Sequence, residues 1–106
     1  MTSQMQRKRR FTRFASKQKA QYCLQETYGS WKECFIHTIS RKGVGMTIKE
    51  NFHRGSTIFL EIPMPHVFAP LSIKGTLRWI EEKEDVFTGG IEFDKALDEE
   101  QFSILG

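Results

Sequence analysis

The chain has 106 residues, 39% of them hydrophobic and 12% aromatic, with nine Phe and two Trp. That length allows one hydrophobic core and excludes two domains with separate cores, while the apolar content excludes a disordered polymer. The net charge of +3 hides a segregation, because residues 1–20 carry seven Lys or Arg and no acid, whereas residues 21–106 carry nine basic against thirteen acidic residues.

In chain order, residues 1–20 are basic, polar and poor in aliphatics, and read as a flexible arm preceding one folded domain at residues 21–106. Such an arm calls for an anionic partner: a phosphorylated small molecule, a nucleic acid or an anionic surface. Residues 21–26 and 31–39 read as strands joined through Thr27, Tyr28, Gly29 and Ser30. Val44, Met46 and Ile48 then alternate with Gly45, Thr47 and Lys49, the period-two signature of a half-buried strand. After a break at residues 51–55, Ile58, Leu60 and Ile62 alternate again, and Pro63 and Pro65 end the run by removing amide donors.

Two further strands are expected at residues 71–81 and 86–93, with Leu77 and Trp79 inward on one and Ile91 and Phe93 inward on the other. A charged turn separates them. Asp98 reads as the N-cap of a short helix containing Phe102 and Leu105. Six short strands with turn signals and one late helix define an all-β chain, expected to close as a small antiparallel barrel.

Cys23 and Cys34 are too few for a disulfide framework and fit a reducing compartment. No window approaches the roughly 20 apolar residues of a membrane span, and no apolar stretch backs the charged start, so a soluble cytoplasmic protein is expected.

Two segments carry chemistry. Arg9 and Arg13 frame three residues within the run Arg7, Lys8, Arg9, Arg10, Phe11, Thr12, Arg13, and Thr38, Ile39, Ser40, Arg41, Lys42, Gly43 close a strand. Together they resemble the PilZ domain, whose signatures are R-x-x-x-R in an N-terminal loop and [D/N]-x-S-x-x-G between early strands. Arg9 and Arg13 match the first in full. Ser40 and Gly43 match the second, with Thr38 standing where the family has Asp or Asn. The resemblance runs from about Gln6 to Leu97 and implies a six-stranded PilZ-type barrel that receives the bacterial second messenger cyclic di-GMP.

The residue types suit that ligand. An Arg guanidinium forks onto phosphate, bonds the O6 and N7 edge of guanine, or stacks on a purine face, uses a Lys ammonium serves less well. Arg9 and Arg13, with Arg10 and Lys8 beside them, are expected to close on the ligand as the arm orders, Lys8 also suiting a second stacked dinucleotide. Ser40 offers a hydroxyl, and Gly43 a close backbone approach. Thr38 supplies at most one acceptor where Asp or Asn would bond a guanine edge, which predicts weakened rather than abolished binding. Arg41 and Lys42 read as solvated turn residues.

Two other readings stand beside the receptor. A degenerate PilZ-like adaptor would keep the barrel, bind nucleotide weakly or not at all, and act through protein contacts. A small barrel binding single-stranded nucleic acid would use the basic arm, against which the acidic body argues. His37, His53, His66 and the cysteines lack the spacing of a zinc site, and no nucleophile elbow, phosphate-binding glycine loop or metalloprotease motif occurs. Neither metal nor catalysis is expected. A receptor of this size acts through a downstream protein.

Overall fold

The computed structural model of the chain describes residues 14–65 and 68–105. Six antiparallel strands form a closed barrel: β1 (Phe14–Leu24), β2 (Lys32–Ile39), β3 (Gly43–Ile48), β4 (Thr57–Ile62), β5 (Leu71–Lys83) and β6 (Val86–Phe93), followed by helix α1 (Glu99–Leu105). Around the barrel the order is β1, β2, β3, β6, β5, β4, with β4 pairing back onto β1.

The alternation seen in the sequence fills the interior. Ile36 and Ile39 of β2, Val44, Met46 and Ile48 of β3, Ile58, Leu60 and Ile62 of β4, Leu77 of β5, and Ile91 and Phe93 of β6 are all buried in one core. Burying each such side chain contributes about 1.5–3 kcal/mol, and closure leaves few strand edges exposed to other chains. Two core residues come from outside the strands. Phe52, in the connection from β3 to β4, packs on Tyr22 at a ring separation of 5.9 Å, and Leu97 precedes α1. Both join the buried core of the barrel.

β1 corrects one expectation. It starts at Phe14, not Gln21, because this segment pairs with β2 from Phe14 opposite Ile39 to Ala20 opposite Cys34, with a shift of register between Ala15 and Gln18. A polar, basic sequence forms strand here because the ladder hydrogen bonds come from its neighbour, whatever the side chains. At the other end β1 passes into a 3₁₀ turn at Gln25–Thr27, where Ser30 N–H donates to the Thr27 carbonyl at 3.0 Å. The charged turn between β5 and β6 is two residues, Glu84 and Asp85, both at positive φ (50° and 71°), the geometry that matches hairpin twist.

Trp79 corrects another. Leu77 pairs with Ile91 and Trp79 with Gly90, so Arg78 is an extra residue in β5. This β-bulge reverses the facing of everything beyond it. Leu77 points into the core, and Trp79 lies on the outer surface, 42% exposed.

Candidate functional site

The turn at residues 40–43 is built by its own hydrogen bonds. Ser40 N–H donates to the Gly43 carbonyl at 2.9 Å, the Ser40 hydroxyl donates to the same carbonyl at 3.3 Å, and Lys42 N–H donates back to the hydroxyl at 3.3 Å. Ser40 is buried, and its hydroxyl shapes the turn. Gly43 is required sterically, because a Cβ would run into the Ile91 carbonyl oxygen and lie 3.4 Å from the Glu92 Cα.

The turn is also fastened to the far end of the chain. Phe93 N–H donates to the Lys42 carbonyl at 2.7 Å, Leu97 N–H to the Arg41 carbonyl at 2.8 Å, and the Arg41 Nε–H to the Leu97 carbonyl at 2.8 Å. Arg41 is therefore half-buried and engaged rather than a solvated turn residue, while Lys42 is exposed as expected. The guanidinium thus satisfies a carbonyl just before α1.

Beside this turn, one row of the barrel's outer face carries two glycines. Thr38 pairs with Gly45, Gly45 with Gly90, and Gly90 with Trp79, which places these four residues in one row across β2, β3, β6 and β5. A Cβ on Gly45 would lie 2.8 Å from the Thr38 Oγ1, and one on Gly90 would overlap the Trp79 indole. Both glycines are buried, Gly45 beneath the Thr38 side chain and Gly90 beneath the indole. Sequence reasoning placed Trp79 in the core and gave Gly45 and Gly90 no site role. The available signal was the Gly89, Gly90 pair opposite a Trp-bearing strand, which in-phase alternation conceals.

Arg9, Arg13, Lys8 and Arg10 lie outside the described residues. The root of their segment does not: Phe14, covalently next to Arg13, pairs with Ile39, and Ala15 pairs with Thr38. Arg13 is therefore attached one residue from the strand that ends in the 40–43 turn. Arg9, five residues before Phe14, can lie at most about 18 Å along the chain from it. Among the described residues, no group of three or more His, Cys, Asp or Glu could hold a metal ion, and no helix is long and apolar enough to cross a membrane.

An antiparallel six-stranded barrel, with its chain entry and a serine–glycine turn at one rim, is the class of protein these features define. The chain matches the PilZ domain over residues 7–106 and belongs to that family. Its structure is similar to the Bacillus subtilis inhibitor of motility (MotI/DgrA), with a TM-score of 0.70 and 16% identity over 92% of this chain and 47% of that one. It is also similar to the Borreliella burgdorferi PlzA protein in complex with c-di-GMP, with a TM-score of 0.67 and 18% identity over 97% and 42% of the two chains. A third similar structure is the K. pneumonia MrkH–c-di-GMP complex, with a TM-score of 0.64 and 14% identity over 92% and 49%. The chain spans just under half the length of each of these three proteins. No curated protein matches it in sequence.

Proposed function

We propose that this chain is a cytoplasmic receptor domain for cyclic di-GMP, a binding module rather than an enzyme, that passes the ligand-bound state to a downstream protein. The observation that carries the reading is the pairing of Phe14 with Ile39, which roots the R-x-x-x-R segment beside the 40–43 turn. Arg9 and Arg13 fork onto the phosphates and guanine edges, and Arg10 and Lys8 add positive charge around them. Ser40 and Gly43 act by holding the turn open to close approach. Trp79, lying over Gly90 and partly exposed, offers its ring to a flat purine, and Thr38 offers a hydroxyl from the same row. Binding orders the arm, so part of the contact energy offsets lost chain entropy.

Calorimetric titration with cyclic di-GMP, against GMP and cyclic GMP as controls, tests this. Arg9→Ala or Arg13→Ala removes charge-assisted bonds worth about 1.5–3 kcal/mol, an affinity loss of about ten- to 150-fold. Absence of heat at high ligand concentration would eliminate the receptor.

A second reading, an adaptor with weak or no nucleotide binding, is favoured by Thr38 in the place of Asp or Asn and by the engagement of the Ser40 hydroxyl within its own turn. Thr38→Asp separates the two. A modest tightening supports the receptor, and binding that appears only in the variant supports the adaptor.

A further inference from the structure

On the other side of the arm's root, the outer face of β1 and β4 carries a groove of about 400 Å³. Gln21 pairs with Glu33 on one side and Glu61 on the other, so these three side chains form one outward row. The walls beyond Glu61 are apolar, with Pro63, Met64 and Phe68, whose ring is fully exposed. Lys19 reaches Glu33 at 3.3 Å, whereas the half-buried Glu61 carboxylate has no hydrogen-bond or ion-pair partner among the described residues. The groove is net acidic and partly apolar. It suits a guanidinium, which pairs with carboxylate through its edge and packs on an aromatic ring through its face.

We propose that in the unliganded protein the basic arm, residues 1–13, folds back into this groove, with arginines from the 7–13 run facing Glu61 and Glu33. The chain's own charge separation supports this occupant: residues 1–13 carry five Lys or Arg, no acid, and Phe11 among them. Length permits it. Gln21 lies seven residues beyond Phe14, about 23 Å at strand rise, and Arg7 lies seven residues before it with the same reach. A fully extended chain reversing at Phe14 therefore brings Arg7 level with the row of Glu33, Gln21 and Glu61, and Arg9, with about 17 Å of reach, level with Lys19 at the edge of the groove. The Gln18 side-chain amide, donating to the Pro63 carbonyl at 2.7 Å, holds the apolar wall against β1 at this level.

Docking needs no ligand, but its consequence rests on the receptor reading. Arg9 cannot occupy the groove and grip a ligand beside the 40–43 turn together, so the groove competes with cyclic di-GMP for the same guanidinium groups. Apparent affinity is then lowered by the fraction of chains whose arm is docked.

Limited trypsin digestion of the full unliganded chain at low salt, followed by mass spectrometry, measures access to the Lys and Arg bonds of residues 7–13. Two exposed ion pairs are worth about 0.2–1 kcal/mol each. The Glu33→Gln/Glu61→Gln variant is therefore expected to be cleaved in its arm about two- to thirtyfold faster than wild type. Glu82→Gln leaves the rate unchanged, and raised salt brings wild type up to the double variant. Equal rates for wild type, the double variant and a free peptide of residues 1–13 would overturn the proposal. Protection that grows with protein concentration would overturn it too, since the groove would then hold the arm of a second copy. The same variant titrated with cyclic di-GMP binds more tightly than wild type. If no variant binds while arm protection still depends on Glu33 and Glu61, docking stands and the receptor reading falls.

Discussion

Gly43 and Gly90 both sit where a Cβ would strike a neighbour, but the neighbours differ in kind. At Gly43 the obstacle is backbone, the Ile91 carbonyl and the Glu92 Cα, which move only if β6 moves. Gly43→Ala is therefore expected to destabilise the barrel by about 1–3 kcal/mol, read as a lower denaturant midpoint. At Gly90 the obstacle is the Trp79 indole, an exposed side chain able to swing away. Gly90→Ala should change stability by about 1 kcal/mol or less while displacing the ring, seen as altered Trp fluorescence and weakened cyclic di-GMP binding. A stability loss as large as that of Gly43→Ala would show that Trp79 is held as firmly as backbone. Ser40 belongs to the same scale: its hydroxyl donates to the Gly43 carbonyl and accepts from the Lys42 N–H across its turn, so the motif serine has a structural task before any ligand arrives.

Among the elements, α1 depends most on a few local bonds. It has seven residues, too few to persist alone. A reciprocal cap starts it: Gln101 N–H donates to the Asp98 Oδ1 at 2.8 Å, and Asp98 N–H donates to the Gln101 Oε1 at 3.1 Å. Glu99 and Glu100 in the first turn add a favourable interaction with the helix dipole. Asp98→Ala should cost about 0.5–2 kcal/mol of helix stability, raising amide exchange across residues 99–105 and leaving exchange in β3 and β6 unchanged. A uniform rise throughout the barrel would instead make the helix part of one cooperative unit. The anchors before the cap survive this change, because Leu97 stays in the core and bound to Arg41.

At the scale of the whole molecule, stability depends on pH through three groups among the described residues whose pKa values are displaced. Tyr22 is buried in the barrel and its hydroxyl donates to the Glu50 carboxylate; burial and that partner push its pKa above its ordinary 10.0. Burial, reinforced by Glu33, pushes the Cys34 thiol up from 9.0 to about 12. Burial alone would raise the Glu50 carboxyl, but the Tyr22 hydroxyl and the Lys32 ammonium, 3.0 Å away, outweigh it and hold the group below its ordinary 4.5. An acid with a raised folded pKa stabilises the fold below its unfolded value, so the Cys34 and Tyr22 contributions fade as pH climbs past 9.0 and 10.0. A depressed carboxyl does the reverse, and the Glu50 contribution fades as pH falls through 4.5 and below. The thermal midpoint, followed by circular dichroism, should therefore show a plateau with two falling limbs. Glu50→Gln flattens the acid limb, and Tyr22→Phe removes the Tyr22 share of the alkaline one and leaves the Cys34 share; an acid limb unchanged in Glu50→Gln would assign it to other carboxylates.

The alternation of Val44, Met46 and Ile48, of Ile58, Leu60 and Ile62, and of Ile91 and Phe93 sufficed to define the strands and the barrel class. Each pleat reports its own burial through residues only two apart. Asp98 announced its cap for the same reason, and the charge contrast between arm and body needed only counting. Tertiary structure decided which residues meet. The bulge at Arg78 turned Trp79 outward, Phe14 found Ile39, and Glu33, Gln21 and Glu61 came into one row. Those outcomes depend on register between strands far apart in the chain, and register is settled when the barrel closes, where no local pattern can report it.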